Sequence, residues 1–315
     1  MIGRRRFISI VAGAGLAGAG LSGYVGNAVA AVSSSTNVYR WKGIALGAAA
    51  SLSIVHSEGP ALAAQVHAEI KRLERIFSLY RTDSALFRLN TEGYLKDPPF
   101  ELLELLTICD HLHAITEGAF DPTVQPLWQL YARKSAAGGA PSKSEIADTM
   151  KHVGWKKLHV EPDELTFETN DGGLTLNGIA QGYITDKVAQ LLKRAGVSDV
   201  LVNMGEIAAV GFQPDGKPWR VGISDPANPT QPRAFKNLTD MAIATSAPLG
   251  TVFDQQGAVG HILDPRTGHP GGKWQQVSVM APEASRADGL STAFCLMEKD
   301  EINQVSAGIK VELLA

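Results

Sequence analysis

The sequence predicts an α+β fold, in which a mainly antiparallel sheet core is packed against helices. Short strand-like segments follow one another between residues 199 and 281, separated by turn residues and not by helices. Helices and strands do not alternate regularly, as a doubly wound parallel sheet would require. The composition, 44% hydrophobic and 19% charged, is typical of a globular protein with an ordinary core.

Helices are predicted where apolar residues recur at helical spacing. In the first helix, Leu62, Val66 and Ile70 share one face. Gly118 ends the second helix, and Gly196 is placed for the left-handed position after the third. The predicted helices span 61–77, 99–116, 179–195 and 284–298.

Strands are predicted where short apolar runs lie between turn residues. One or two strands are expected within residues 31–58, and a hairpin within 158–177 that turns at 170–172. Residues 133–145 are expected to form an exposed loop. The other predicted strands span 199–203, 206–212, 219–223, 241–245, 259–263 and 275–281.

The first residues have the pattern of an export signal. Three arginines at positions 4–6 precede a run rich in Ala and Gly, no acidic residue occurs before Glu58, and residues 28–30 read Ala-Val-Ala. The Arg-Arg-x-Phe-Ile core is the twin-arginine form. We therefore expect residues 1–31 to be a twin-arginine signal peptide that directs a single domain, 32–315, to the periplasm. An uncleaved anchor is the alternative, although many glycines weaken a membrane helix.

Charge and cysteine content narrow the possible classes of function. The net charge of −3 gives no reason to expect a nucleic-acid partner. Cys109 and Cys295 lie in apolar helical contexts, which favours buried free thiols over a disulfide. Residues 211–218 resemble a phosphate-binding loop, but Pro218 replaces the required Ser or Thr and Asp215 would repel phosphate. We interpret this segment as a turn.

Five segments at predicted element boundaries carry polar or aromatic side chains suited to a binding site. They are 80–84, 118–123, 177–183, 261–268 and 287–292. Each alone has a structural explanation. His261 can be a capping histidine, and a mid-helix threonine such as Thr292 often bonds the carbonyl four residues earlier.

Two of these segments together suggest a magnesium site. Asp288 and Thr292 are four residues apart and share one helix face. A carboxylate and a hydroxyl are hard-oxygen ligands of the kind that Mg²⁺ prefers beside substrate phosphates. Gly178 and Gly182 allow close backbone approach, and the helix that begins there offers its N-terminus to phosphate.

In order and spacing, the five segments resemble the ApbE family, the FAD:protein FMN transferases, from about residue 40 onward. The Asn-Gly-Ile-Ala-Gln-Gly-Tyr form at 177–183 and the Gly205-Glu206-Ile207 turn are most similar to the NosX-like subgroup. The resemblance implies an ApbE-like fold and a periplasmic Mg²⁺ enzyme. It implies cleavage of FAD, transfer of FMN through a phosphoester to a threonine of a partner flavoprotein, and release of AMP. For the NosX-like subgroup, it implies a membrane-bound, NosR-like acceptor that serves nitrous oxide reduction.

The resemblance also implies roles for individual residues. The metal ligands would be the carbonyl of Gly178 and the side chains of Asp288 and Thr292. The residues that contact FAD would be Leu46, Tyr80, Ala119, Phe120, Asp121, Thr175, Gln181 and Ile262.

Three of these positions depart from the family pattern. Thr175 replaces an acidic residue, Gln181 replaces a lysine, and Leu46 replaces a methionine. Loss of the lysine removes a positive charge that could face the diphosphate.

The general base is not decided by the sequence. His261 titrates in the appropriate range, and Asp121 is the rival. Two alternative functions also remain, an FAD diphosphatase and a non-enzymatic FAD carrier. The Asp288 and Thr292 pair argues against the carrier, because flavin binding alone requires no metal.

Overall fold

The computed structural model describes residues 38–228 and 230–315. The predicted signal peptide, residues 1–31, lies outside this part of the chain and stays a prediction. The strands are β1 (Val38–Ala45), β2 (Ala48–Val55), β3 (Tyr94–Lys96), β4 (Leu158–Val160), β5 (Glu164–Phe167), β6 (Val200–Asn203), β7 (Ile207–Val210), β8 (Trp219–Ser224), β9 (Pro232–Leu238), β10 (Met241–Ser246), β11 (Gln276–Ala281) and β12 (Lys310–Leu314).

The helices are α1 (Gly59–Phe77), α2 (Ala85–Glu92), α3 (Phe100–Ile115), α4 (Gln125–Ala136), α5 (Lys143–Met150), α6 (Ala180–Arg194), α7 (Ala284–Phe294) and α8 (Lys299–Val305). Short 3₁₀ turns occur at Pro122–Val124, Trp155–Lys157 and Pro248–Gly250. Among the described residues, no helix is long and apolar enough to cross a membrane.

A seven-stranded sheet in the order β1-β2-β6-β7-β10-β11-β12 forms the centre of the molecule. Every neighbouring pair in it is antiparallel. Smaller sheets are formed by β3-β5-β4 and by β8-β9, again with antiparallel pairing. The predicted fold class, a mainly antiparallel sheet with packed helices, is confirmed.

The two faces of the large sheet are covered differently. Helices α1, α6 and α7 pack on one face, where Leu52 and Val188 belong to the main hydrophobic core. The β8–β9 hairpin covers the other face, and its Trp219 and Ile223 pack against Ile243 of β10. The sheet is therefore buried on both sides, and each large apolar side chain so buried contributes about 1.5–3 kcal/mol.

Three long helices and most strands lie close to their predicted positions. The predicted helices 61–77, 99–116 and 179–195 correspond to α1, α3 and α6. Gly196 follows α6 with a φ of 84°, in the left-handed region that the prediction required. Cys109 and Cys295 are buried free thiols, as expected.

The segment predicted as an exposed loop, 133–145, is largely exposed, but only its middle part, 137–142, lies outside a helix. Helix α4 runs to Ala136, and α5 begins at Lys143, so the connection is short. Ser142 caps α5 in a capping box with Glu145, each side chain bonding the other's backbone N–H. Because the segment is rich in small and polar residues, the sequence analysis did not identify the end of α4 or the start of α5.

Two predicted turns or strands differ in the structure. The hairpin within 158–177 is formed by β4 and β5 and turns at 161–163, whereas 170–172 form a later turn. The strand predicted at 259–263 is reduced to isolated bridges, Val252↔Gly260 and Leu263↔Pro270.

The predicted helix 284–298 is also shorter than expected. Helix α7 ends at Phe294, and Glu298 caps the start of α8 through a capping box with Glu301. The sequence analysis did not predict α8 or the edge strand β12 that follows it.

Candidate active site

A cavity of about 330 Å³ opens where the N-terminal end of α6, helix α7 and the end of β10 meet the segment that precedes α4. It is lined by every predicted site residue except one. The predicted residues that line it are Leu46, Ala119, Phe120, Asp121, Thr175, Gly178, Gln181, His261, Ile262, Asp288 and Thr292.

The exception is Tyr80. It follows α1 and is 64% exposed, and it is not among the residues that line the cavity. Its predicted contact with the flavin nucleotide stays a prediction.

The three predicted metal ligands meet where the loop before α6 approaches α7. The hydroxyl of Thr292 lies 3.5 Å from the carbonyl oxygen of Gly178. A Cβ atom at position 178 would lie 2.9 Å from the Thr292 Oγ1 atom, so this approach requires glycine. The Ser246 hydroxyl lies 3.4 Å from the same Oγ1 atom. Carbonyl and hydroxyl oxygens thus cluster at one point of the cavity wall.

Asp288 supplies the negative charge of this cluster. Its side chain is 4% exposed, and its Oδ2 atom accepts a hydrogen bond of 2.9 Å from the backbone N–H of Gly182. Burial raises the pKa of Asp288 to about 7; the Gly182 hydrogen bond lowers it and the charge of Asp186 raises it further. In the described part of the chain, no Lys or Arg forms an ion pair with Asp288.

These donors fit a small hard cation. Mg²⁺ takes oxygen ligands and uses one or two carboxylates while it keeps some of its waters. A site of one carboxylate, one hydroxyl and one carbonyl matches that preference. Among the described residues, no cluster of three or more His, Cys, Asp or Glu side chains is suited to a metal.

The close crossing of α6 and α7 holds Asp288 in place. A Cβ atom at Gly182 would lie 2.3 Å from the carbonyl oxygen of Ala284, so the two helices touch through backbone there. The carboxylate of Asp186 on α6 accepts hydrogen bonds from the N–H groups of Ala284 and Ser285, at 2.7 and 2.9 Å. Because these bonds fix the start of α7, they also fix the position of Asp288 in its second turn.

Glu206 is a cavity residue that sequence reasoning did not assign to the site. It is 8% exposed in the β6–β7 turn, and its Oε2 atom accepts from the N–H of Thr245 at 3.3 Å. Burial, and then the nearby charge of Asp288, raise the pKa of Glu206 well above its ordinary value. The sequence feature that could have indicated Glu206 is its position as a single acidic residue between two apolar strands, β6 and β7.

His261 presents one ring nitrogen to the backbone. Its Nδ1 atom lies 3.1 Å from the carbonyl oxygen of Pro248 and 3.0 Å from that of Thr251. Since a carbonyl can only accept, Nδ1 carries the proton in the neutral ring, and Nε2 carries the lone pair. The ring lines the cavity and is half-buried, so the geometry suits a proton acceptor.

Both carboxylate oxygens of Asp121, the other candidate base, accept hydrogen bonds from neighbouring residues. Its Oδ1 atom accepts from the backbone N–H and the hydroxyl of Thr123 at 2.8 and 2.6 Å, and Oδ2 accepts from the N–H of Trp155 at 2.9 Å. Burial raises its pKa, although these hydrogen bonds and the neighbouring His113 oppose the shift. The contacts favour a positioning function, and its assignment as base stays a prediction.

Two aromatic side chains also line the cavity. They are Phe120, which is 4% exposed, and Trp128, which packs edge-on against Phe253 with ring centroids 5.3 Å apart. Aromatic faces of this kind suit a flat heterocycle. Trp128 was missed, because its segment was not recognised as part of α4.

Leu46 is held in an uncommon conformation at the cavity edge. Leu46 and Gly47 form the two-residue turn between β1 and β2, with φ values of 46° and 79°. The N–H of Leu46 donates to Glu74 at 2.9 Å, which anchors the turn to α1. This bond helps to offset the strain of a non-glycine residue in the left-handed region.

This antiparallel fold brings a cluster of oxygen donors and two aromatic side chains, Phe120 and Trp128, to the lining of one cavity. The chain belongs to the ApbE family, whose model matches residues 46–314. An FAD:protein FMN transferase from Vibrio cholerae is 30% identical over 288 residues, covering 86% of this chain and 85% of that protein. One from Klebsiella pneumoniae is 29% identical over 266 residues, covering 81% and 76%.

Solved structures agree with this assignment. The apo form of the Pseudomonas stutzeri flavinyl transferase ApbE has a TM-score of 0.77 and 30% identity, over 88% of this chain and 90% of that chain. The flavin transferase ApbE from Vibrio cholerae has a TM-score of 0.75 and 26% identity, over 88% and 94%. The likeness therefore extends over nearly the whole described chain.

Proposed function

We propose that this protein is an FAD:protein FMN transferase, which moves FMN from FAD to a threonine of an acceptor flavoprotein and releases AMP. The observation that carries the proposal is the oxygen cluster of Gly178, Asp288 and Thr292 in a cavity that Phe120 and Trp128 also line. It lies in a chain that is 30% identical to an FAD:protein FMN transferase over 86% of its length.

Mg²⁺ would be held by the Gly178 carbonyl, the Asp288 carboxylate and the Thr292 hydroxyl. When bound, it would neutralise the charge of the diphosphate and of the leaving AMP. The protein keeps these three oxygens together through the contact of 3.5 Å between Thr292 and Gly178 and through the Gly182 hydrogen bond to Asp288.

The reaction is a displacement at the flavin-proximal phosphorus. The bond from the threonine oxygen to phosphorus forms, and the bond from phosphorus to the bridging oxygen of AMP breaks. The Nε2 atom of His261 takes the hydroxyl proton, while the backbone carbonyls of Pro248 and Thr251 hold the ring through Nδ1. Phosphoryl transfer needs mainly this positioning and charge stabilisation.

The acceptor and the location belong to the same proposal. The acceptor is a flavoprotein with an accessible threonine, and the NosX-like resemblance favours a membrane-bound, NosR-like partner. The arginine run at 4–6 favours export to the periplasm by the twin-arginine route.

Transfer is tested with purified protein, FAD, Mg²⁺ and a candidate acceptor domain, followed by intact mass measurement. We expect one FMN on the acceptor, and none when its threonine is replaced by valine or when EDTA is present. Free FMN with AMP and an unmodified acceptor would identify an FAD diphosphatase instead. Unchanged FAD would identify a carrier.

Export is tested separately by the double change Arg4→Lys and Arg5→Lys. Because the translocase reads the arginine side chains as an address, the double variant should accumulate in the cytoplasm as full-length precursor. Normal accumulation of the variant in the periplasm would contradict the twin-arginine route.

A further inference from the structure

The strand pair β1–β2 has an exposed face that leads to the mouth of the cavity. The turn between these strands reaches the cavity, which Leu46, Ala48 and Ala49 line. Ile44 of β1 pairs directly with Ala49 of β2. Because residues opposite each other in an antiparallel pair have their side chains on the same face, Ile44 lies beside a residue of the cavity lining. Ile44 is 66% exposed, so an apolar side chain stands in solvent at the mouth.

Two basic side chains continue this face along β1. Alternate residues of a strand lie on one face, so Arg40, Lys42 and Ile44 share a face. Both basic side chains are exposed, and neither forms an ion pair within the described residues. Their partners on β2, Ser53 and Ser51, are neutral. A positively charged strip about 14 Å long therefore ends beside the cavity.

The opposite face of the same strands belongs to the core. Leu52 and Ile54 of β2 are buried in the main hydrophobic core, and Trp41 of β1 packs against it. On the charged face, Val55 lies at the end far from the cavity and packs against the hydrophobic cluster of the β8–β9 hairpin. The part of this face that lies next to the cavity is thus the part left in solvent.

A second exposed apolar side chain lies on another part of the rim. Leu249 is 54% exposed in the turn Pro248–Gly250, and its neighbours Ala247 and Gly250 line the cavity. This turn follows β10, which is four strand spacings, or about 19 Å, from β1 in the sheet. One side of an ordinary protein interface covers on the order of 800 Å², a patch roughly 30 Å wide. One partner can therefore contact Leu249 and Ile44 together.

The proposed reaction brings a protein to this rim. The threonine oxygen of the acceptor has to reach phosphorus inside the cavity, so the acceptor residues around that threonine have to lie against the mouth. A rim with apolar side chains and unpaired positive charges is complementary to a partner surface that carries apolar residues and carboxylates.

We propose that the exposed face of β1, together with Leu249, is the docking surface for the acceptor flavoprotein, and that acidic side chains of the acceptor meet Arg40 and Lys42. This proposal rests on the proposed function and adds the chemistry by which the partner is recognised. Complementary charges at the edge of an interface speed association and exclude wrong partners. They leave the nucleotide site itself unchanged.

The first test reverses the charge of the strip with the double change Arg40→Glu and Lys42→Glu. At saturating FAD and Mg²⁺, kcat/KM for the acceptor domain should fall by about tenfold or more, mainly through KM, because the new charges repel an acidic partner. FAD affinity, measured by calorimetry, should stay at the wild-type value. Transfer to a short synthetic peptide that contains the acceptor threonine should also be unchanged, since the peptide does not reach the strip.

The matched control makes the same charge change far from the strip. Lys193 and Arg194 are exposed at the end of α6, about 18 Å along the helix from Gln181 at the cavity. Helix α6 also covers the opposite face of the sheet. The double change Lys193→Glu and Arg194→Glu should leave kcat/KM for the acceptor domain unchanged.

The second test removes the apolar contact. Ile44→Asp should lower kcat/KM for the acceptor domain by about fivefold, as for loss of a contact within an interface. Phe100→Asp is its control, because Phe100 is 73% exposed and begins α3, about 24 Å along that helix from its end near the cavity. Leu249 is kept unchanged, since the carbonyl of the preceding Pro248 holds the His261 ring.

The outcomes separate this proposal from the proposed function. Wild-type kcat/KM for the acceptor domain in the charge-reversed variant overturns the docking surface and leaves the transferase intact. An equal loss with the peptide also overturns it, because the change would then act on the reaction centre. A wild type that modifies neither the acceptor domain nor the peptide refutes the proposed function itself.

Three further measurements decide between other occupants and guard against misfolding. If the charge-reversed variant melts well below the wild type, the wild-type salt dependence decides: kcat/KM should fall more steeply with NaCl for the acceptor domain than for the peptide, and equal slopes contradict the proposal. Unchanged acceptor kinetics with lost binding to phosphatidylglycerol vesicles would identify a lipid surface instead. Unchanged kinetics with loss of a dimer would identify a second copy of this chain.

Discussion

The carboxylates that line the cavity and those on the outer surface are held in opposite ways. On the surface, Glu312 pairs with Arg233 at 2.9 Å and with Lys236 at 2.5 Å. In the cavity, Asp288 and Glu206 accept hydrogen bonds from backbone N–H groups and have no Lys or Arg partner within the described residues.

Their proton affinities shift in opposite directions. For Glu312, burial alone would raise the pKa, but the hydrogen bond to Lys236 and the charges of both basic partners hold it below the ordinary value. For Asp288, burial dominates and raises the pKa to about 7, and for Glu206 it raises the pKa well above normal.

This difference in pairing and in pKa separates carboxylates that stabilise the folded protein from carboxylates suited to binding a ligand. A paired surface carboxylate is neutralised by the protein itself. Two neighbouring buried carboxylates without a basic partner are costly to keep, unless something brought from outside supplies positive charge. The acids of the cavity therefore fit the cation proposed for this site, and four changes test this comparison.

The largest effect is expected for Asp288→Asn. Asparagine keeps the shape of the side chain and an oxygen that can accept from the N–H of Gly182, but it removes the charge. We expect FMN transfer to fall by at least about a hundredfold, as for loss of a group that stabilises developing charge. The rise in melting temperature caused by Mg²⁺ should disappear. Transfer within a few fold of wild type, with an unchanged Mg²⁺ effect, would exclude Asp288 as a ligand.

The next largest effect is expected for His261→Gln, which tests proton transfer separately from charge neutralisation. His261→Gln should lower the transfer rate by about 10²–10⁴, the usual contribution of a general base. FAD and Mg²⁺ affinities should stay close to wild type, because the ring is not one of the three proposed metal ligands. Single-turnover kinetics and calorimetry measure the two quantities. Asp121→Asn is the matched control, and a larger rate loss there than in His261→Gln would reverse the assignment of the base.

An intermediate effect is expected for Glu206→Gln, which removes one of the two neighbouring acids. In EDTA at neutral pH, urea unfolding should show the variant to be about 1 kcal/mol more stable than wild type, because folding raises the pKa of Glu206 well above its unfolded value and glutamine avoids that cost. Its Mg²⁺ affinity should fall about tenfold, as for loss of a group that supports a metal ligand. A less stable metal-free variant would instead mean that the Thr245 contact outweighs the cost of burying the carboxyl group.

The sequence predicted those elements of the fold that carry a regular apolar pattern over many consecutive residues. Helices α1, α3 and α6 carry apolar residues at helical spacing over several turns, and they were found close to their predicted bounds. Helix α5 is short and is defined by its capping box at Ser142 more than by an apolar stripe. Strand β12 is an edge strand whose position depends on pairing with β11. Such elements are fixed by tertiary contacts that a single segment does not reveal.

The residues of the candidate site also differ in whether the local sequence could reveal them. Asp288 and Thr292 were found from their spacing, and Gly178 was placed beside them by family resemblance. Glu206 was missed because its relation to Asp288 arises only when the β6–β7 turn meets α7. Tyr80 was included from the family pattern, and its side chain lies outside the cavity lining.

The smallest effect, with the opposite sign to that of Glu206→Gln, is expected for Glu312→Gln on the surface. The folded-state pKa of Glu312 is lowered, so its ion pairs stabilise the protein above the unfolded pKa, and this stability is lost as the pH falls through the folded value. At neutral pH the variant should lose about 0.5 kcal/mol, since partly exposed ion pairs contribute little. In acid the two unfolding free energies should converge. Asp148→Asn breaks a more exposed pair, whose side chains are 71% and 65% exposed, and should show no measurable change. A gain in stability for Glu312→Gln, like that expected for Glu206→Gln, would remove the distinction between paired surface acids and unpaired cavity acids.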